Sequence, residues 1–254
     1  MARRKEAGTL TLCIASAALI GGTALPAQAQ DGNQLELSAT ATLTTDYVFR
    51  GISQTGNDPA VQASLDAAYG IFYIGAWGSN VDFGGDLTPG GLPVSIADLE
   101  IDYYAGIAPT WHGISFDIGG IYYTYPGAFD PAGEFDYFEL KTGASYTFFE
   151  ALTLGITNYW SPEFFGETGN ADALELAGEY AFANKWWIFS PSVSALVGWQ
   201  WIDEGEDYTY WNAGLTLGFM DNWSADVRYW DTDDGCGGLN ICDSRVVGTL
   251  SASF

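Results

Sequence analysis

Positive charge is scarce in this chain. Its 254 residues hold 8 Lys and Arg against 32 Asp and Glu, a formal net charge of -24. A protein this acidic repels phosphate backbones, which excludes DNA and RNA as partners. Histidine is nearly missing, with His112 the only one, set between Trp111 and Gly113 in a turn. No nucleophile motif and no phosphate-cradling glycine loop accompanies it, so no enzymatic activity and no cofactor are expected. Cysteine is limited to Cys13, Cys236 and Cys242. That is too few, with no histidine nearby, for a structural metal site, and none is expected. Beyond residue 30 there is no run of roughly 18 apolar residues, which excludes membrane-spanning helices.

What is present begins with an export signal. Arg3, Arg4 and Lys5 form a basic start, residues 10–25 an apolar stretch, and Ala27-Gln28-Ala29 a small-x-small cleavage site. Residues 1–29 therefore read as a cleaved signal peptide and 30–254 as one domain. A membrane anchor is the alternative, against which the shortness of the apolar run and Pro26 both count. The signal contains three bases and one acid, Glu6, so the remainder carries five bases against 31 acids, a net charge of -26. Cys13 leaves with the signal.

The rest of the chain is patterned with period two, the spacing of strand faces. From residue 35 to 49, Leu35, Leu37, Ala39, Ala41, Leu43, Tyr47 and Phe49 share one face, and Glu36, Ser38, Thr40, Thr42, Thr44 and Asp46 the other. The same alternation recurs around Leu65, Ile101, Leu140, Leu176 and Val227. Glycine is abundant at 32 residues, aromatics make up 16% of the chain, and turn clusters separate the periodic segments. The spacing predicts an all-β fold: an antiparallel up-and-down transmembrane β-barrel of about twelve strands, with ten or fourteen as alternatives. Periodicity alone leaves a secreted β-sandwich open, since its apolar face would point to a core instead.

Three features favour lipid over a core. Tight turns near Gly70, 109–113, 148–151, 183–187 and 220–223 alternate with longer polar loops at 51–59, 84–96, 126–134, 161–172, 201–207 and 231–243, as short periplasmic turns alternate with external loops in bacterial barrels. Trp111, Phe148, Phe149, Trp186, Trp187 and Trp223 cluster beside the tight turns, where an interfacial girdle belongs. Finally, the last segment alternates through Val246, Gly248, Leu250 and Ala252 to a terminal Phe254. An amphipathic last strand ending in Phe resembles the signal read by the barrel insertion machinery.

Several segments together resemble a proteobacterial family, the TorF-like porins. They are Asp46-Tyr47-Val48-Phe49-Arg50-Gly51-Ile52-Ser53-Gln54-Thr55 with Pro59-Ala60-Val61-Gln62, then residues 75–81, 100–106, 123–127 and 161–166, and the final strand. The resemblance spans nearly all of the chain after the signal. It implies an outer-membrane barrel of a Gram-negative bacterium with a pore role. It brings no substrate and no catalytic residue.

The face opposite the lipid carries the strand charges. Acids there are Glu36, Asp46, Asp66, Asp98, Glu100, Asp102, Asp117, Glu139, Glu175, Glu179 and Asp226, and bases are Arg50, Lys141, Arg228 and Arg245. One reading is an aqueous channel whose acid excess favours small polar or cationic solutes. The other is a closed lumen filled by paired charges, in a structural or adhesive barrel acting through acidic loops in contact with outer-membrane lipid and lipopolysaccharide. Arg50, beside Gly51, is expected either to line a constriction or to hold the first loop against Asp46 or Asp58. Cys236 and Cys242 are close in the last loop of an exported protein, which predicts a disulfide. Asp231, Asp233 and Asp234 before Gly235 have the wrong spacing for an EF-hand and read as a solvated loop.

Overall fold

The computed structural model describes residues 34–84, 96–128, 134–233 and 239–254. The proposed signal, Cys13, Asp234 and Cys236 lie outside these. Twelve long strands follow one another: β1 (Leu35–Thr44), β2 (Ala60–Tyr69), β3 (Phe72–Asn80), β4 (Leu99–Ile107), β5 (Ile114–Thr124), β6 (Tyr137–Phe148), β7 (Leu152–Ser161), β8 (Ala171–Ala181), β9 (Ser190–Ile202), β10 (Tyr208–Phe219), β11 (Trp223–Thr232) and β12 (Arg245–Ser253). Each pairs antiparallel with the next, and β12 returns to β1 in register from Thr40 opposite Ser253 to Thr44 opposite Thr249. The sheet is therefore a closed barrel, the arrangement that leaves no edge strand unpaired.

The distribution of side chains is inverted relative to a water-soluble protein. Leu37, Leu65, Ile74, Tyr103, Leu154 and Val227 point outward and are exposed, while Gln62, Ser79, Glu100, Glu139, Gln200 and Asp226 point inward and are buried. An apolar exterior around a polar interior fits lipid as the surrounding solvent and does not fit a sandwich, whose apolar faces meet each other. The aromatic set beside the tight turns stands on the exterior too, with Phe149 and Trp187 93% and 86% exposed.

Connections differ between the two ends. At one, β2 and β3 are joined by Gly70 and Ile71 alone, and β6–β7 and β10–β11 by residues 149–151 and 220–222. At the other, the stretches between consecutive long strands are longer: residues 45–59, 81–98, 125–136, 162–170 and 233–244. Length does not alternate strictly: 182–189 at the short-turn end exceeds 203–207 at the long-loop end, because Trp186 and Phe189 bridge each other in a small turn of their own.

One stretch departs from the sequence expectation. Alternation continues to Phe49, yet β1 stops at Thr44, and the chain turns into the barrel as a miniature hairpin of Val48–Phe49 against Ile52–Ser53. Its tip is Arg50-Gly51, with φ of 47° and 85°, the two consecutive positive values that a tight two-residue hairpin turn requires. The Asp46 carboxylate fixes the base of the hairpin by accepting from Ser53 Oγ at 2.6 Å and Arg245 Nη1 at 2.9 Å. Tyr47 and Phe49, expected on the lipid face, consequently lie inside.

Candidate functional site

Every strand contributes to the lumen, and most of the expected charges meet there. The inward hairpin divides it. Val48 packs on Leu196, Tyr208, Tyr210, Trp230 and Val247, so the hairpin reaches the β9–β12 wall. Arg50 at its tip crosses to other strands. Nη1 and Nη2 donate to Oε1 and Oε2 of Glu139 on β6, both at 2.8 Å, and Nη1 also donates to Gln200 Oε1 on β9 at 2.9 Å. The guanidinium lies 4.7 Å from the ring centroids of both Phe49 and Tyr159. A fork-on-fork pair with two aromatic rings against the guanidinium is the geometry for which arginine, rather than lysine, is suited. Asp46 and Asp58, the partners anticipated from the sequence, are not those of Arg50; Asp46 is taken by Arg245 instead. Arg50, Glu139, Gln200 and Tyr210 are 2%, 1%, 1% and 0% exposed, so the lumen is filled at their level.

From the level of the plug toward the long loops, carboxylates and phenols line the wall. Tyr47 Oη donates to Glu100 Oε1 at 2.8 Å, with Tyr125 as a second phenol beside that carboxylate. Burial, with Glu100 nearby, pushes the Tyr125 phenol well above its ordinary range, so it stays a neutral donor. Tyr123 Oη donates to Glu139 Oε2 at 3.0 Å, and Tyr210 Oη to Glu175 Oε1 at 2.7 Å. Asp102 is buried in the same wall, and its Oδ1 has no hydrogen-bond partner.

Toward the short turns the bases Lys141 and Arg228 are paired with acids. Lys141 Nζ lies 2.7 Å from Asp117 Oδ2, whose Oδ1 accepts from Tyr73 Oη at 2.7 Å. Arg228 reaches Asp226 at 3.1 Å, Asn212 at 2.6 Å and Ser194 at 2.9 Å. Asp66 is half-buried and accepts from Ser64 and Tyr104; Glu179 is half-buried beside Ser192. A cavity of about 80 Å³ lies under the hairpin, lined by Thr40, Thr42, Thr44, Gln62, Ser64, Asp226, Arg228 and Thr249.

Two acids expected on this face stand apart from it. Asp98 is exposed in the bend before β4, and Glu36 is exposed at the short-turn rim of β1. His112 is exposed in a short turn with its ring against Trp111. Asp233 accepts from the Thr209 backbone N–H on β10, and Asp231 accepts from Tyr229 Oη and the Thr232 N–H on β11. The lumen tyrosines Tyr123, Tyr137, Tyr159 and Tyr210, with Gln200 and Asn212, escaped the sequence reading. Strand parity signals them, since Tyr137 is in phase with Glu139 and Tyr210 with Asn212, but aromatic residues on a barrel strand suit lipid equally well.

Residues 28–254 match a family model described as "Bacterial protein of unknown function (Gcw_chp)". The chain belongs to that family. None of the curated proteins matches it. Among solved structures the Gcw_chp barrel is similar to the KdgM porin, with 8% identity over 85% of this chain and 99% of that one and a TM-score of 0.57. The KdgM porin in complex with disordered oligogalacturonate gives a TM-score of 0.55, at 8% identity over 86% and 98% of the two chains. The NanC porin gives 0.50, at 10% identity over 86% and 99%. At such identities the likeness concerns the fold: a closed twelve-stranded barrel of the outer-membrane porin type.

Proposed function

We propose that this barrel is a porin-like channel of the Gram-negative outer membrane, passing small polar or cationic solutes without chemistry or cofactor. The observation that carries the reading is the lumen itself, where carboxylates outnumber bases inside a closed barrel whose exterior is apolar. Confined like charges focus potential and favour counter-ions. The same excess argues against polyanions such as the oligogalacturonate seen with the KdgM porin. The porin folds of its structural neighbours support the reading at the level of architecture, and the motif at 46–55 supports the narrower likeness to TorF-like porins. In this reading residues 1–29 are removed on export, the long loops face outward, Phe254 serves the insertion machinery, and Cys236 and Cys242 form a disulfide.

A second reading has a specific observation behind it. The Arg50 hairpin fills the lumen, as it would in a structural barrel acting through its loops. Twelve strands lie between barrels packed solid and barrels with a wide channel, so strand number does not choose. Conductance of the refolded mature protein in a planar bilayer under a KCl gradient does. Discrete steps with a cation-selective reversal potential, weakened in Glu100→Gln and Asp102→Asn, are expected. A folded barrel that passes no current in the wild type or in Arg50→Ala would leave the structural reading.

A further inference from the structure

We infer that the cavity under the Arg50 hairpin is a binding site for a small neutral polyol. The inference takes its functional meaning from the channel reading and narrows the class of solute.

The argument starts from polar groups that the protein leaves without partners. Gln62 on β2, Trp77 on β3 and Trp230 on β11 all line the cavity. They are 9%, 7% and 5% exposed. Among the described residues, neither the Gln62 amide nor the indole N–H of Trp77 or Trp230 has a hydrogen-bond partner. The side-chain atoms that are both unpartnered and sealed from any solvent are Asp102 Oδ1 and Asn212 Nδ2. The Gln62 amide and the two indole N–H groups are therefore unpartnered but reachable, and the space that they border is the cavity. Polar groups held this deep are satisfied as a rule, by protein, water or a bound molecule.

The chemistry of the wall selects the occupant. Its charges are already neutralised, Asp226 by Arg228 and Asp46 by Arg245. Neither a cation nor an anion finds an unpaired counter-charge there. Opposite Gln62 stands Thr42, whose hydroxyl pairs with Ser251 across the seam, as that of Thr44 does with Thr249. A hydroxyl carries two acceptor lone pairs, so these pairs can still accept a hydrogen bond. The wall thus offers amide and indole donors, amide and hydroxyl acceptors, and the apolar surface of two indoles and Val247. A molecule bearing several hydroxyls on a carbon chain matches each of these. The volume of about 80 Å³ is several times the roughly 10–15 Å³ that one water needs, so one small molecule can replace a group of waters.

The test uses erythritol as the probe on the refolded mature barrel in deuterated detergent, read by saturation-transfer NMR. Saturable transfer is expected in the wild type and in Asp98→Asn, whose change lies outside the cavity. Binding is expected to weaken about tenfold in Gln62→Met, which keeps the volume and removes the amide, and measurably in Trp77→Phe. Heat-modifiable gel mobility confirms that each variant is folded, and either variant suffices if the other is not. Absence of saturable transfer in the wild type, or equal binding in the folded variants, would leave a cavity filled by water only and overturn the site. Displacement of erythritol by tetramethylammonium chloride would overturn the neutral class of solute. Conductance in KCl is read separately. Erythritol binding to a barrel that passes no current keeps the site and removes the channel; current without erythritol binding keeps the channel and removes the site.

Discussion

Arg50 concentrates the physics of the lumen at one residue. Its charge is taken out of water, which is costly, and that cost is offset because both terminal nitrogens meet one carboxylate and the rings of Phe49 and Tyr159 lie against the guanidinium. Removing one partner leaves the other buried and uncompensated, at a cost of about 3–5 kcal/mol. For Arg50→Ala the route of relief is movement of the hairpin, since Glu139 is fixed on a strand while Arg50 sits on a two-residue turn. Larger single-channel conductance is expected in Arg50→Ala and in Glu139→Gln, with the double variant no larger than either single, because both break the same pair. Additive increases in bilayer recordings would show that the two residues act separately. The face of Arg50 was legible from strand parity and its partners were not. Period two assigns a side chain to the inside or the outside; it says nothing of what stands across the lumen, and Glu139 and Gln200 are 89 and 150 positions away. Strand parity puts Tyr47 and Phe49 on the wrong face for a related reason. An alternating pattern continues through a strand's end, and the turn at Arg50-Gly51 that redirects it has no apolar signature. A residue-scale prediction also attaches to Cys236 and Cys242: thiol labelling of the exported protein under denaturing conditions is expected to be negligible until a reductant is added, and immediate labelling would exclude the disulfide.

At the scale of elements, the seam between β1 and β12 is distinctive. Every other pair of neighbouring strands is joined by a turn or loop, whereas these two meet from opposite ends of the chain. On the lumen side they are fastened by a ladder of hydroxyls: Thr40 to Ser253 at 3.1 Å, Thr42 to Ser251 at 2.9 Å, and Thr44 to Thr249 at 3.1 Å. All three are directly opposed residues, the cross-strand contact through which sheets gain stability. A double-mutant cycle between Thr42→Val and Ser251→Ala is expected to return a coupling of about 0.5–1.5 kcal/mol in equilibrium unfolding from detergent or vesicles. Zero coupling would mean that both hydroxyls are satisfied by lumen water in the single variants. The strands themselves were the most legible feature of the sequence. Leu99 through Ile107 and Phe138 through Tyr146 alternate so regularly that their faces follow directly from the residues. The seam was legible only as a last segment of strand character, because register between chain ends depends on the closure of the whole sheet.

For the whole molecule, the surrounding solvent decides between a lipid-facing barrel and a protein that merely has strands. The chain after residue 29 carries a net charge of -26, yet the mid-barrel exterior is leucine, isoleucine, valine and tyrosine. The acids lie in the lumen, at the rims and in the loops, a separation that has an energetic purpose only if the middle of the exterior is in hydrocarbon. Position along the strand should then govern the effect of a new charge. Leu65 lies mid-strand on β2 and is 68% exposed, while Val246 lies at the long-loop end of β12 and is 66% exposed. In water, two equally exposed sites would tolerate arginine equally. In a bilayer, arginine at the midplane costs about 2–4 kcal/mol and near an interface about 0–1 kcal/mol. Leu65→Arg is therefore expected to destabilise the barrel by that larger amount and Val246→Arg by the smaller, measured as denaturant unfolding from phospholipid vesicles. In short-chain detergent, where the charged side chain reaches water from either position, the gap between the two variants is expected to shrink. A gap of the same size in both media would attribute it to packing within the sheet, and no gap in vesicles would remove lipid as the solvent around these strands.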